Sequence, residues 1–177
     1  MLRLWKTKVI HYTVRFHRIM FIEVKVGALI MDPNSNTPIV VLKGVDDEAI
    51  LPIWVGAYEA NAIALEIEKI VPQRPMTHDL LRNIVSELGC QVEKISVTDL
   101  LDNTFYAVIE ISDKEGQMTS LDARPSDAIA LALRTDCPIF VAQKVLDISN
   151  AASSSQTKFE DSDDTQKPLE EWPDLIG

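Results

Sequence analysis

The stretch Leu121-Asp122-Ala123-Arg124-Pro125-Ser126-Asp127, followed by the unbroken apolar run Ala128 to Leu133, constrains this chain more than any other. Pro125 fixes its own φ and pushes Arg124 out of the α region, so a strand ends there and a helix begins. Ser126 or Asp127 is placed to accept a hydrogen bond from a free N–H of the first turn. With no polar residue between Ala128 and Leu133, the helix lacks a solvent-facing stripe and belongs inside the protein. Asp122, Arg124 and Asp127 are thereby gathered at its positive dipole end, where chemistry is expected. The same pattern has a plain structural reading, an ordinary cap beside an ordinary ion pair.

A chain of 177 residues with 46% hydrophobic content supports one compact domain, burying roughly 70% of its unfolded surface. The formal charge of -10 is unevenly spread. Residues 1–20 carry five Lys or Arg and no acid, residues 151–177 carry seven acids and two Lys, and the part between holds twice as many acids as bases. An acidic domain binds phosphates poorly unless a divalent cation bridges its carboxylates to them or association gathers its few bases. Cys90 and Cys137 are too far apart for a metal knuckle and too few for a disulfide scaffold, so a reducing cytoplasm is the expected setting. No apolar run reaches the roughly 18 residues that a membrane span requires.

Taken in order, residues 1–19 read as a basic extension before a start at Met20, lacking the features of a secretory signal. The alternation of Phe21 to Met31 predicts a half-buried strand, and Ile39 to Lys43 and Ala49 to Val55 predict two more, joined by short turns as an antiparallel meander. Gly56 opens a helix predicted to run from Ala57 to about Val71. Arg74-Pro75-Met76-Thr77-His78-Asp79 echoes the central stretch and starts a second, amphipathic helix that Gly89 closes. Val92 to Leu100 and Phe105 to Ile111 predict a hairpin across Leu101 to Thr104. Met118 to Asp122 leads into the central helix, and Cys137 to Val141 reads as a last strand, placed at an edge by Pro138. Beyond residue 148 the Ser-rich, acidic composition predicts a tail outside the fold. The expected architecture is a single α/β (α+β) domain over residues 20–148, with a mixed, largely antiparallel sheet and about three helices.

Asn36-Thr37-Pro38-Ile39-Val40, Leu51-Pro52-Ile53-Trp54-Val55-Gly56, Arg74-Pro75-Met76-Thr77-His78-Asp79-Leu80-Leu81, Asp102-Asn103-Thr104-Phe105-Tyr106-Ala107 and Asp122 to Ala132 together resemble the bacterial and plant bifunctional nuclease family. The matches cover about residues 20–145 in order. The resemblance implies a mixed α/β domain, a self-associating cytoplasmic protein with a dimer favoured, and nuclease activity on both DNA and RNA in some members. It brings no mechanism that transfers residue by residue.

Chemistry then offers three readings. In a metal-assisted phosphodiesterase, Asp122 and Asp127, with Asp79 or Glu59, hold Mg²⁺ or Mn²⁺. Arg124 clamps a phosphate oxygen and His78 activates water, while Arg74 and Asn103 contact substrate. In a binding or regulatory module, Arg124 and Arg74 at two helix starts grip an anionic ligand or a partner's carboxylate. In the third, Asp122, Arg124 and Asp127 form only a buried structural network.

Overall fold

The computed structural model describes residues 20–156, the side chains of residues 152–156 excepted. The basic segment 1–19 and the acidic segment beyond residue 156, both expected to stand apart from the domain, lie outside the described residues.

Among the described residues seven strands form one sheet: β1 (Phe21–Met31), β2 (Pro38–Gly44), β3 (Ile50–Trp54), β4 (Gln91–Leu101), β5 (Thr104–Ser112), β6 (Met118–Ala123) and β7 (Ile139–Ala142). Four helices among the described residues accompany them: α1 (Ala57–Ile67), α2 (Thr77–Glu87), α3 (Pro125–Thr135) and α4 (Gln143–Gln156). The strand order is β3-β2-β1-β7-β4-β5-β6, antiparallel throughout except for the parallel pair β4 and β7. A row of apolar partners, Val24, Ile139, Ile95 and Ile109, crosses the four central strands in register. Strand alternation sends Lys94, Glu110 and Phe140 to the other side, where Lys94 pairs with Glu110 at 3.3 Å and sits over the Phe140 ring.

One sequence expectation is corrected by position in the sheet. β7 is central, between β1 and β4, and not an edge strand. Pro138 precedes the strand and contributes only its carbonyl, which accepts the Ile95 N–H at 3.1 Å, so the missing donor costs the ladder nothing. The fourth helix, α4, was not expected; it continues directly from β7 and runs across the anticipated boundary at residue 148, burying Val145, Leu146 and Ser149. Its mixed composition carries little helical periodicity, and packing against β4 and β7 decides its state.

α1 ends earlier than expected, at Ile67. Lys69 turns into the left-handed region (φ 54°), which stops the helix ahead of Pro72. α3 behaves as its composition requires: Ala128, Ile129, Ala130, Leu131 and Ala132 are all buried. It links the edge strand β6 to the parallel central strand β7, crossing β4 and β5, with α1 and α2 packed against it. α2 is the reverse, since His78 is its one buried residue while Leu80, Leu81, Ile84 and Leu88 face solvent.

Candidate functional site

α1, α2 and α3 each carry an acid in the first turn: Glu59, Asp79 and Asp127. A carboxylate there faces unpaired N–H groups and the positive end of the helix dipole, so local physics alone favours these positions. Tertiary packing then ties the three helices together through two arginines, one near each end of α3.

Arg124 occupies the N-cap position of α3 in an extended conformation, with Pro125 at the first helical position. Its side chain folds forward onto its own helix, Nε donating to Asp127 Oδ2 at 2.7 Å and Nη2 to Asp127 Oδ1 at 3.0 Å. This is the bidentate pairing of a planar guanidinium with a carboxylate. The remaining arm reaches across to α1, where Nη1 lies 2.9 Å from Glu59 Oε1. Gly56 makes room for that acid, because a Cβ there would run into Glu59 Oε2. From the third side His78 of α2 meets the same carboxylate, Nε2 at 3.2 Å from Asp127 Oδ1. The Arg124 side chain remains 65% exposed and the imidazole only 10%, so the group has a sealed floor and an open cationic rim.

Burial pushes the Asp127 carboxyl up. Hydrogen bonds from Arg124 and His78, with the charge of Arg124, outweigh it and hold the group below the ordinary carboxylate range. Asp127 raises Arg124 in turn, first through its hydrogen bonds.

The second arginine, Arg134, received no role from the sequence. Its side chain is 2% exposed, with Nε donating to Asp79 Oδ1 at 2.7 Å, Nη1 to the Ala130 carbonyl at 2.8 Å and Nη2 to the Ala62 carbonyl at 3.0 Å. Asp79 Oδ2 meanwhile accepts the Met76 N–H at 2.9 Å, so this acid caps α2. Burial raises the Asp79 carboxyl, and the bonds from Arg134 and Met76 with the charges of Arg134 and Arg82 lower it further than burial lifts it. The available signal was an arginine closing an otherwise apolar buried helix, since such a charge must find a partner.

The bifunctional nuclease domain model matches residues 40–154, which span both arginines and all three acids. The chain belongs to the bifunctional nuclease domain family. An uncharacterized protein of Mycobacterium tuberculosis is 40% identical to this family member over 124 residues, covering 70% of the chain and 73% of that protein. Bifunctional nuclease 1 of Arabidopsis thaliana is 29% identical over 107 residues and that of Oryza sativa subsp. indica 27% over 109. Each plant match covers about three fifths of this chain (59% and 60%) but only 33% of the plant protein.

In this bifunctional nuclease domain the other sequence candidates lie apart. Asp122 is exposed on β6, paired with Val108 on the side of the strand opposite Ala123 and Leu121, and its side chain makes no hydrogen bond or ion pair among the described residues. Arg74 is exposed ahead of α2, without an ionic partner among the described residues. Asn103 shares a two-residue hairpin turn with Asp102, both at positive φ (58° and 49°), where Asn is favoured for its conformation. Among the described residues no three His, Cys, Asp or Glu side chains are grouped to hold an ion. Both oxygens of Asp127 and one of Glu59 are taken up by Arg124, so these residues as placed do not fit Mg²⁺ or Mn²⁺. No helix among the described residues is long and apolar enough to cross a membrane.

Proposed function

We propose that this bifunctional nuclease domain hydrolyses phosphodiester bonds in DNA and RNA, with the cluster Arg124, Asp127, His78 and Glu59 as its working site. The observation that carries the reading is a solvent-open guanidinium, fixed by Asp127, standing beside an imidazole fixed by the same carboxylate. The family, and the plant relatives named as bifunctional nucleases, support the substrate class.

Arg124 takes a phosphate oxygen on its exposed edge, in competition with Glu59. Asp127 holds His78 through Nε2 and leaves Nδ1 to accept a proton from the attacking water. As water adds, the P–O bond to the departing sugar oxygen breaks, that oxygen takes a proton from solvent water, and Arg124 neutralises charge on the phosphorane oxygens. α2 offers the exposed ridge Leu80, Leu81, Ile84 and Leu88, which suits pairing with a second copy.

Labelled single-stranded RNA and DNA, incubated with and without Mn²⁺ or EDTA, provide the test. Asp127→Asn and His78→Ala, purified identically, are expected to lose cleavage by about 10²-fold or more. Equal activity in Asp127→Asn identifies a contaminant and removes the reading. A cleavage rate abolished by EDTA instead assigns the chemistry to a cation. The exposed Arg124 also supports a second reading, a non-catalytic module for an anionic ligand, which retention of oligonucleotide without cleavage would establish.

A further inference from the structure

We propose that Arg134 is a positioning residue for His78: by gripping Asp79 it fixes the first turn of α2 and, with it, the imidazole against Asp127. This rests on the reading of His78 as part of the working site.

Packing alone holds α2 weakly. His78 is its one buried residue, and Val85 is its main partly buried contact with the core, while Leu80, Leu81, Ile84 and Leu88 are exposed. An element with so few buried apolar contacts opens at low cost unless polar contacts pin it. Two such contacts come from adjacent residues. His78 meets Asp127 in the first turn of α3, and Asp79 meets Arg134 in its last. Those attachment points are seven residues apart, a rise of about 10 Å along the helix. Attachment at two separated points fixes the rotation of α2 about its own axis as well as its distance from α3.

The guanidinium is itself immobilised. Its other two nitrogens donate to the carbonyls of Ala130 on its own helix and Ala62 on α1, so the group that holds Asp79 is tied to α3 one turn back and to α1. A lysine supplies no fork and cannot satisfy those three directions at once. The two oxygens of Asp79 divide their duties, Oδ2 capping α2 through Met76 and Oδ1 meeting Arg134. Capping and positioning are therefore separable: Asp79→Asn keeps the shape and a carbonyl oxygen for the Met76 N–H but removes the charge that holds Arg134. The charged groups around His78 are Asp127 on α3, Asp79 beside it on α2, and Arg124 with Glu59 one contact further out.

The full-length chain, labelled with ¹⁵N at histidine, is compared with Asp79→Asn and Arg134→Lys. The His78 ring signals, assigned by loss in His78→Ala, report the hydrogen bond at Nε2. In folded Asp79→Asn they are expected to shift toward those of a freely averaging imidazole, while kcat on single-stranded oligonucleotide falls about tenfold and KM stays within twofold. Arg134→Lys is expected to change the ring signals in the same sense. Ring signals and kcat matching the wild type in folded Asp79→Asn overturn the proposal, even if the melting temperature drops, because that outcome describes a strut. Failure of Asp79→Asn to fold also counts against it, since a group the whole domain needs is not specific to His78. Absence of cleavage by the wild-type chain ends the nuclease reading but leaves the ring signals to decide this one.

Discussion

Arg134 Nε and Asp79 Oδ1 stand 2.7 Å apart, joining the last turn of α3 to the first turn of α2 in a region from which the arginine side chain is almost wholly shielded. A charge so buried is tolerated only with its partner in place. Asp79→Ala is therefore expected to destabilise the domain by about 3–5 kcal/mol, the range for orphaning one member of a buried pair. Arg134→Met added to Asp79→Ala should recover part of that loss. Chemical denaturation of the two variants checks this, and a double variant less stable than the single one contradicts it.

Acid sensitivity follows from the same carboxylates. Asp79 and Asp127 both sit below the ordinary carboxylate range in the folded chain, through their arginine and histidine partners and against the effect of burial. A depressed folded value means that their contribution to stability is complete above the unfolded value of about 4 and is lost as pH falls through the folded one. Melting temperature measured from pH 6 downward should hold steady until about pH 4 and then fall, and Asp127→Asn should flatten part of that fall. A variant curve superimposable on the wild type would show that Asp127 has no share in it.

Glu59 yields a prediction of unusual sign. Its carboxylate occupies Nη1 of Arg124, the arm not committed to Asp127, so an incoming phosphate must displace it. Glu59→Gln is expected to bind a short single-stranded oligonucleotide several-fold more tightly at low salt, whereas Glu87→Gln, an equal change in net charge on α2, should not. Calorimetric titration distinguishes them; weaker binding by Glu59→Gln would instead make Glu59 a ligand-binding group.

Asn103 separates conformation from recognition. At φ 58° a side chain other than Asn or Gly is strained, by roughly 1–2 kcal/mol. Asn103→Ala should lower stability by about that much, and Asn103→Gly should leave it nearly unchanged. If Asn103→Gly is as stable as the wild type yet cleaves slowly, the amide contacts substrate.

The exposed ridge of α2 makes self-association measurable. Light scattering is expected to give a mass above the 19.8 kDa of one chain, and Ile84→Lys should return it to a single chain without loss of fold. A monomeric wild-type chain at micromolar concentration would leave the ridge to some other partner.

Much of the fold was legible because it is written in local patterns. Alternation in Phe21 to Met31 and Phe105 to Ile111 fixes strands; Pro125 fixes where a helix starts; the apolar run after Asp127 fixes a buried helix. Position within the sheet was not legible, as Pro138 shows: whether a missing N–H marks an edge depends on the neighbour, and here Ile95 needs only the carbonyl. The candidate site divides along the same line. Arg124 and Asp127, three residues apart across a helix start, were determined by the sequence, since i to i+3 geometry brings them together in any such helix. Asp122, equally close in sequence, stays on β6, exposed and opposite Val108, and its side chain meets no member of the cluster. Only the tertiary structure chose which distant groups complete the cluster: Glu59, His78 and Asp79 come from helices whose mutual placement depends on how α1 and α2 pack on α3. Covalent geometry reaches a few residues along a chain, and everything beyond that is decided by which buried surfaces fit.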